Sequence, residues 1–348
     1  MAKTYNNLFE QVVSFDALYS AYVQARKGKR EKLHCAKFEN RLEYELIHLQ
    51  NELIWEEYKV GGYRSFYVHE PKLRKITALR DFRDRVVQNA IYAVIEPIWE
   101  SRFIHDSYAC RVNKGTHIGV DRAQGFLKAV LKEHGKIYAL KADISKYFSS
   151  IDHEILKSLL RKRIADKKLM AVIGSIIDSY SESDGKAIPI GNLTSQLFAN
   201  IYLDHFDQWI KNRKGVKYYA RYMDDFIVIH HDKDYLIKLR MEAEAFLHDE
   251  LRLYTNHKTQ VFPVAHKGGR GLDFLGSHLW PDGRRMRKCT ISRFKRRLKI
   301  MQKQYAKNEI ELSEIRASVL STVAHAKHSG GLPAVSKLLS KHAFRGGK

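Results

Sequence analysis

The stretch Tyr219-Ala-Arg-Tyr-Met-Asp-Asp-Phe-Ile-Val-Ile-His230 constrains the fold more than any other part of the chain. Two adjacent carboxylates, Asp224 and Asp225, sit between an aromatic-rich run and a β-branched run, both strand formers. Asp tolerates turn conformations, so the segment reads as a tight hairpin with its acids at the bend. Such a hairpin is either an ordinary surface turn that happens to be acidic or a metal-binding turn. The second alternative needs a third carboxylate, and Lys136-Ile-Tyr-Ala-Leu-Lys-Ala-Asp143 offers one, a strand that ends on Asp143. An acid at the end of a core strand is costly unless it is paired or binds metal.

Three clustered carboxylates repel one another, and some stay protonated unless a cation neutralises them. Ligands that are all oxygen select Mg2+ or Mn2+ rather than zinc. Two such ions ~3.5–4 Å apart would activate a primer 3′-hydroxyl and stabilise a leaving pyrophosphate, which is the chemistry of nucleotide polymerases.

Around this nucleus, helical and strand periodicities intermix, giving an α+β class. Phe38, Leu42, Leu46, Leu49 and Leu53 predict one helix, ended by Gly61-Gly62. Residues 63–69 and 76–79 read as strands joined by a basic turn over 71–75. That turn is either solvated or positioned to hold a triphosphate. A helix over 81–96 is expected to stop at Pro97. A polar loop over 107–117 leads to a helix near 118–134, and helices fill about 153–180. The loop 185–196 opens another helix, with Thr194 or Ser195 as its cap and Leu197, Ile201 and His205 along one side. A helix over 235–251 precedes strands at 258–262 and 272–280. There is no internal repeat and no low-complexity linker.

Charge supplies the class of partner. The 348 residues carry 61 basic and 39 acidic side chains, a net charge of +22, which points to a polyanion and above all to nucleic acid. An anionic membrane surface is the competing partner, but no apolar run approaches the ~18 residues of a spanning helix. The N-terminus lacks a signal-peptide pattern, and three widely spaced cysteines lack zinc-site spacing, so a reducing compartment, the cytoplasm, is expected. The cluster Arg26–Lys32 is either a solvated loop or a template-gripping arm. Between Arg284 and Lys299 lie nine basic residues and no acid: Arg284, Arg285, Arg287, Lys288, Arg293, Lys295, Arg296, Arg297 and Lys299. Solvated faces usually mix signs, so this tail is expected to be a helical domain that contacts phosphates.

Tyr222-Met-Asp-Asp225 resembles the YxDD box of reverse transcriptases, and Leu140-Lys-Ala-Asp-Ile-Ser-Lys-Tyr-Phe148 resembles their first palm-carboxylate motif. Further motifs follow in order. Tyr63 to Gln88, with Asp84-Arg-Val-Val-Gln88, is similar to the first finger motif and Ser107 to His117 to the second. Lys258-Thr259 resembles the sixth and Phe274-Leu-Gly276 the seventh, so seven collinear motifs span roughly residues 60–280. The fourth departs from the common Gln-Gly-x-x-x-Ser-Pro, reading Ile190-Gly-Asn-Leu-Thr-Ser-Gln196. That variant, with the Tyr108–His117 segment, resembles the reverse transcriptases of diversity-generating retroelements of bacteria and phages.

The resemblance implies a right-hand polymerase: fingers and palm interleaved over 1–282, the palm an antiparallel sheet, and a basic helical thumb over 283–348. It implies that Asp143 and Asp224 hold two Mg2+ ions, for which Mn2+ can substitute, and that Asp225 assists one. Phe148 matches the bulky gate against a ribonucleotide 2′-hydroxyl, or is a core aromatic. Arg74, and less directly Lys72, matches the basic finger residue that holds the triphosphate. Lys258 matches a lysine near the pyrophosphate, a general acid or a plain phosphate or surface contact. Ile190, Gly191 and Gln196 belong to the loop beside the incoming nucleotide. The implied partners are a template-repeat RNA, a DNA or RNA primer, dNTPs and a small basic accessory protein. The implied product is cDNA with frequent errors at template adenines, made in a bacterial cytoplasm. Group II intron- or retron-like enzymes are alternatives that the fourth motif disfavours. A non-catalytic RNA-binding scaffold is a third, disfavoured by the intact acids.

Overall fold

The computed structural model describes residues 3–69 and 73–344. Four helices open the chain: α1 (Phe9–Val13), α2 (Phe15–Ala25), α3 (Leu33–Glu39) and α4 (Leu42–Ile54). The single helix expected from Phe38 to Leu53 is thus divided at Asn40 and Arg41, although Leu46, Leu49 and Leu53 bury as their spacing requires. Its end comes earlier than Gly61. Glu56 adopts φ +60°, and the amides of Glu57 and Tyr58 both turn back to the Glu52 carbonyl.

The hairpin β1 (Tyr63–Val68) and β2 (Arg74–Leu79) then leads into α5 (Phe82–Glu100). Pro97 does not stop α5. Proline removes its own N–H bond and crowds the carbonyl four residues earlier, and in the last turn that cost is offset by burial of Trp99 in the core.

Next come α6 (Thr116–His134), β3 (Tyr138–Asp143), α7 (Tyr147–Ser150), α8 (His153–Arg161), α9 (Lys167–Asp178) and α10 (Leu193–Gln208). After them follow β4 (Tyr219–Tyr222), β5 (Asp225–His230), α11 (Lys233–Leu251) and β6 (Gln260–Pro263). The central sheet has the order β4-β5-β3-β6, antiparallel throughout. Period-two alternation covers both of its faces. Leu140, Ala142, Phe226 and Val228 join the large core of the helices, whereas Ala139, Ile227 and Ile229 pack with Val120, Ala123 and Leu127 of α6.

The strand expected over 272–280 is instead a hairpin, β7 (Leu272–Phe274) and β8 (Ser277–Leu279). It reverses at Leu275 and Gly276, with φ of +47° and +90°. Only the glycine signals such a turn, and nothing about a leucine does. β9 (Arg284–Met286) pairs with β8, so the basic tail begins as a strand and turns helical only at α12 (Lys288–Ala306). α13 (Leu312–Ser329) and α14 (Leu332–Leu339) complete this lobe around its own apolar cluster of Phe294, Leu298, Met301, Ile315 and Val335. Among the described residues, no helix is long and apolar enough to cross a membrane.

Candidate active site

β4 and β5 are joined by the two-residue turn Met223-Asp224, with Tyr222 paired to Asp225. Asp143, the last residue of β3, lies directly opposite Asp225, and the Ile144 amide donates to the Asp224 carbonyl at 3.2 Å. Strand register alone therefore brings the three carboxylates to one end of the sheet. The bend lies one residue earlier than the acids suggest, because Asp225 already belongs to β5.

Burial raises the Asp224 carboxyl to about 6, and nearby Asp143 raises it while Arg74 and Arg221 oppose the shift. Burial likewise raises Asp225 to about 7 against the pull of Lys141, whose Nζ lies 3.8 Å away. Asp143 accepts a hydrogen bond from the Asn256 side-chain amide, and the Asn256 backbone N–H donates to the Asp143 carbonyl at 2.8 Å. Among the described residues, no three His, Cys, Asp or Glu side chains already converge as a ligand set. The donor chemistry nevertheless fits a hard divalent cation. The carboxylates are all-oxygen donors, and Asp225 Oδ1 is buried without a hydrogen-bond partner.

These shifts carry a stability prediction. A carboxyl raised on folding stabilises the fold below its unfolded pKa, and that contribution is lost as pH rises through the folded value. Without divalent cation, the protein is expected to lose stability from the unfolded carboxyl value of 3.8 up to about 7. Asp225→Asn is expected to recover roughly 1–3 kcal/mol at pH 8 in EDTA. Thermal melts of the two proteins across pH check this, and parallel curves would refute it.

The remaining candidates fall into three groups. Arg74 opens β2 on an exposed edge, within electrostatic reach of Asp224; Lys72 lies outside the described residues. Phe148 is half-buried on α7, edge-on to Tyr147 at 5.7 Å, and its carbonyl accepts from Ile188 N at 2.9 Å. The fourth-motif loop is fastened to β2. Thr77 N donates to the Ile190 carbonyl at 2.9 Å, and Leu79 N to Asn192 Oδ1 at 3.2 Å. Gly191 has φ +122°, and a Cβ there would lie 2.9 Å from Ile76 Cγ2, so only glycine fits. Neither Thr194 nor Ser195 caps α10. Asn192 occupies that position, and Thr194 donates its hydroxyl to Gln88 Oε1 at 2.9 Å. Gln196 and Gly191 share the lining of a cavity of about 260 Å³ with Arg85, Gln88 and Lys29. Exposed Lys258 stands two residues from Asn256, whose Oδ1 accepts from the Lys258 amide at 2.8 Å.

The basic tail departs from the expected single helical face. Arg284 and Arg285 lie in β9, and Arg287 immediately precedes α12. Arg284 pairs with Asp121 at 2.7 Å, Arg287 pairs with Asp273 at 2.6 Å, and Arg285 lies over the Trp280 ring. On α12, Lys288, Lys295, Arg296, Arg297 and Lys299 are exposed and Arg293 is half-exposed, opposite the buried Phe294 and Leu298. Asn256 and Lys141, which touch Asp143 and Asp225, were not apparent in the sequence. Lys141 alternates with the core-facing Leu140 and Ala142, and that strand parity was the available signal.

A family model described as reverse transcriptase (RNA-dependent DNA polymerase) matches residues 68–279. The chain belongs to the reverse transcriptase family. Its sheet is the palm of a right-hand polymerase, and the enzyme is an RNA-directed DNA polymerase. Protein YkfC of Escherichia coli is 27% identical over 279 residues, covering 69% of this chain and 72% of YkfC. The group II intron-encoded protein LtrA of Lactococcus lactis is 28% identical over 160 residues, 43% of this chain and 26% of LtrA. An apo telomerase from Candida tropicalis aligns with a TM-score of 0.49 and 15% identity, over 66% of this chain and 55% of that one.

Proposed function

We propose that this reverse transcriptase copies a template-repeat RNA into error-prone cDNA for a diversity-generating retroelement. The fourth motif carries the proposal. Its backbone at Ile190 is fixed to β2 through Thr77, and the apolar isoleucine side chain offers shape without a directional polar bond. A Gln there would reward correct geometry at the incoming nucleotide, and its absence narrows the difference in transition-state binding between right and wrong pairs. Ile190→Gln is expected to lower errors opposite template adenine about 2–10-fold, the worth of one hydrogen bond. Sequencing cDNA made by both proteins tests it, and unchanged adenine errors would sink the idea.

Asp143 and Asp224 are assigned to hold two Mg2+ ions, or Mn2+ in their place, with Asp225 assisting one. When bound, the ions favour ionisation of the primer 3′-hydroxyl and neutralise charge on the pyrophosphate. Lys141 and Asn256 hold Asp225 and Asp143 in place. Arg74 is assigned to steady the triphosphate, and Lys258 to give a proton to the leaving pyrophosphate or simply to contact its phosphates. The exposed cations of α12 follow template and primer phosphates. A small basic accessory protein completes the assembly.

Phe148 serves as the sugar gate. Phe148→Val is expected to raise rNTP use relative to dNTP about 10–100-fold, the equivalent of relieving one steric clash. Single-nucleotide extension with each substrate measures the ratio, and an unchanged ratio would return Phe148 to the core.

A further inference from the structure

We propose that Arg221 is a positioning residue that holds the Asp-Asp turn in the conformation that aims Asp224 at Asp143. The proposal rests on the assignment of these two carboxylates as metal ligands. Met223 has φ +57°, a left-handed conformation that costs a non-glycine residue about 1–2 kcal/mol, a cost that a contact to the turn offsets. Arg221 supplies that contact. Its Nη1 donates to the Met223 carbonyl at 2.9 Å and to Asn200 Oδ1 at 3.2 Å. Its Nε and Nη2 grip Asp207 at 2.8 and 2.6 Å, and Nη2 also reaches Ser107 Oγ at 3.3 Å. The backbone is held as well: Arg221 N donates to the Asp106 carbonyl, and Tyr108 N donates to the Arg221 carbonyl.

Arg221 and Asp207 are both fully buried. A buried ion pair is seldom more stable than apolar residues of the same volume, so stability alone does not account for it. Its geometry does. Asp207 and Asn200 lie on α10, whose first turn carries Gln196 beside the fourth-motif loop. The guanidinium thus references the acidic turn to the same helix that carries Gln196 beside the fourth-motif loop. Only its planar fork of five donors can serve Asp207, Asn200, Ser107 and Met223 together. A lysine keeps the charge opposite Asp207 but cannot reach the turn carbonyl as well.

The test compares wild type with Arg221→Lys, Asp224→Asn, Arg221→Lys combined with Met223→Gly, and the uncharged pair Arg221→Met with Asp207→Leu. Mn2+ affinity is read by titration with electron paramagnetic resonance, folding by thermal melts, and kcat and dNTP KM by primer extension. Arg221→Lys is expected to weaken Mn2+ binding about 10–100-fold, the usual effect of losing an outer-shell contact. Its kcat should fall with little change in KM. Glycine at 223 accepts the left-handed conformation unaided, so it should recover part of the affinity. The uncharged pair should show the same metal defect. Wild-type Mn2+ affinity in folded Arg221→Lys or in the uncharged pair would overturn the proposal. Unfolding of both would also overturn it, marking Arg221 as purely structural. Undiminished Mn2+ binding by Asp224→Asn would instead overturn the ligand assignment itself.

Discussion

Asp224→Asn is expected to reduce primer extension on an RNA template by about 10³-fold or more, because a charge worth several kcal/mol in the transition state is removed. The amide keeps the shape of the carboxylate, so the turn survives. The Asp224 backbone carbonyl still accepts from Ile144, and Met223 still rests on Arg221. Burial already lifts the Asp224 carboxyl to about 6, so a neutral amide is easier to bury than the ionised acid. The metal-free variant should therefore melt no lower than wild type while failing to extend a primer. Asp225→Asn should cost less activity if Asp225 has the lesser role proposed for it, assisting one ion, and Lys141 offsets part of its charge. Gel-resolved extension in Mg2+, beside circular dichroism of both proteins, decides the matter. Equal extension by wild type and Asp224→Asn would refute the role assigned to this turn.

The parts of this site that were legible share one property: their geometry is local. Strand-forming runs on either side of Asp224-Asp225 and a strand ending on Asp143 fix a hairpin and its neighbour, and antiparallel register then places the acids together. The collinear motifs named the family and its right-hand architecture for the same reason, since each is a short contiguous segment. What escaped is non-local or conformational. Asn256 reaches Asp143 across 113 positions, and Arg284 meets Asp121 across 163, so no window of sequence contains either pair. Arg284 and Arg287 read as members of one basic face because their acidic partners, Asp121 and Asp273, lie in other elements. The hairpin hidden in 272–280 depends on a left-handed leucine, and α5 runs past Pro97 because Trp99 finds a core pocket. In both, tertiary packing overrides a local preference that the residue type reports faithfully.

Asp207→Ala is expected to destabilise the fold by about 3–5 kcal/mol, the usual consequence of removing one partner of a buried ion pair. Arg221 has 0% side-chain exposure and is gripped by Asp207 through both Nε and Nη2, so its charge would remain in the interior without an anion. Tyr219, whose hydroxyl donates to Asp207 Oδ1 at 2.5 Å, would lose its acceptor as well. The loss should therefore exceed that of either hydrogen bond alone. Replacing both partners, Arg221→Met with Asp207→Leu, should recover most of the stability, because the large term is the stranded charge. Surface pairs behave differently. Lys217 and Glu133 lie 3.5 Å apart with side chains 69% and 45% exposed, and removing either should change stability by no more than about 0.5 kcal/mol. Urea denaturation of the single and double variants measures each value. If the double variant were as unstable as Asp207→Ala, the cost would lie in lost packing rather than in charge. If it recovers stability but not Mn2+ affinity, the pair is retained for the placement of the Asp-Asp turn, since apolar residues can replace its contribution to the core and not its bond to Met223.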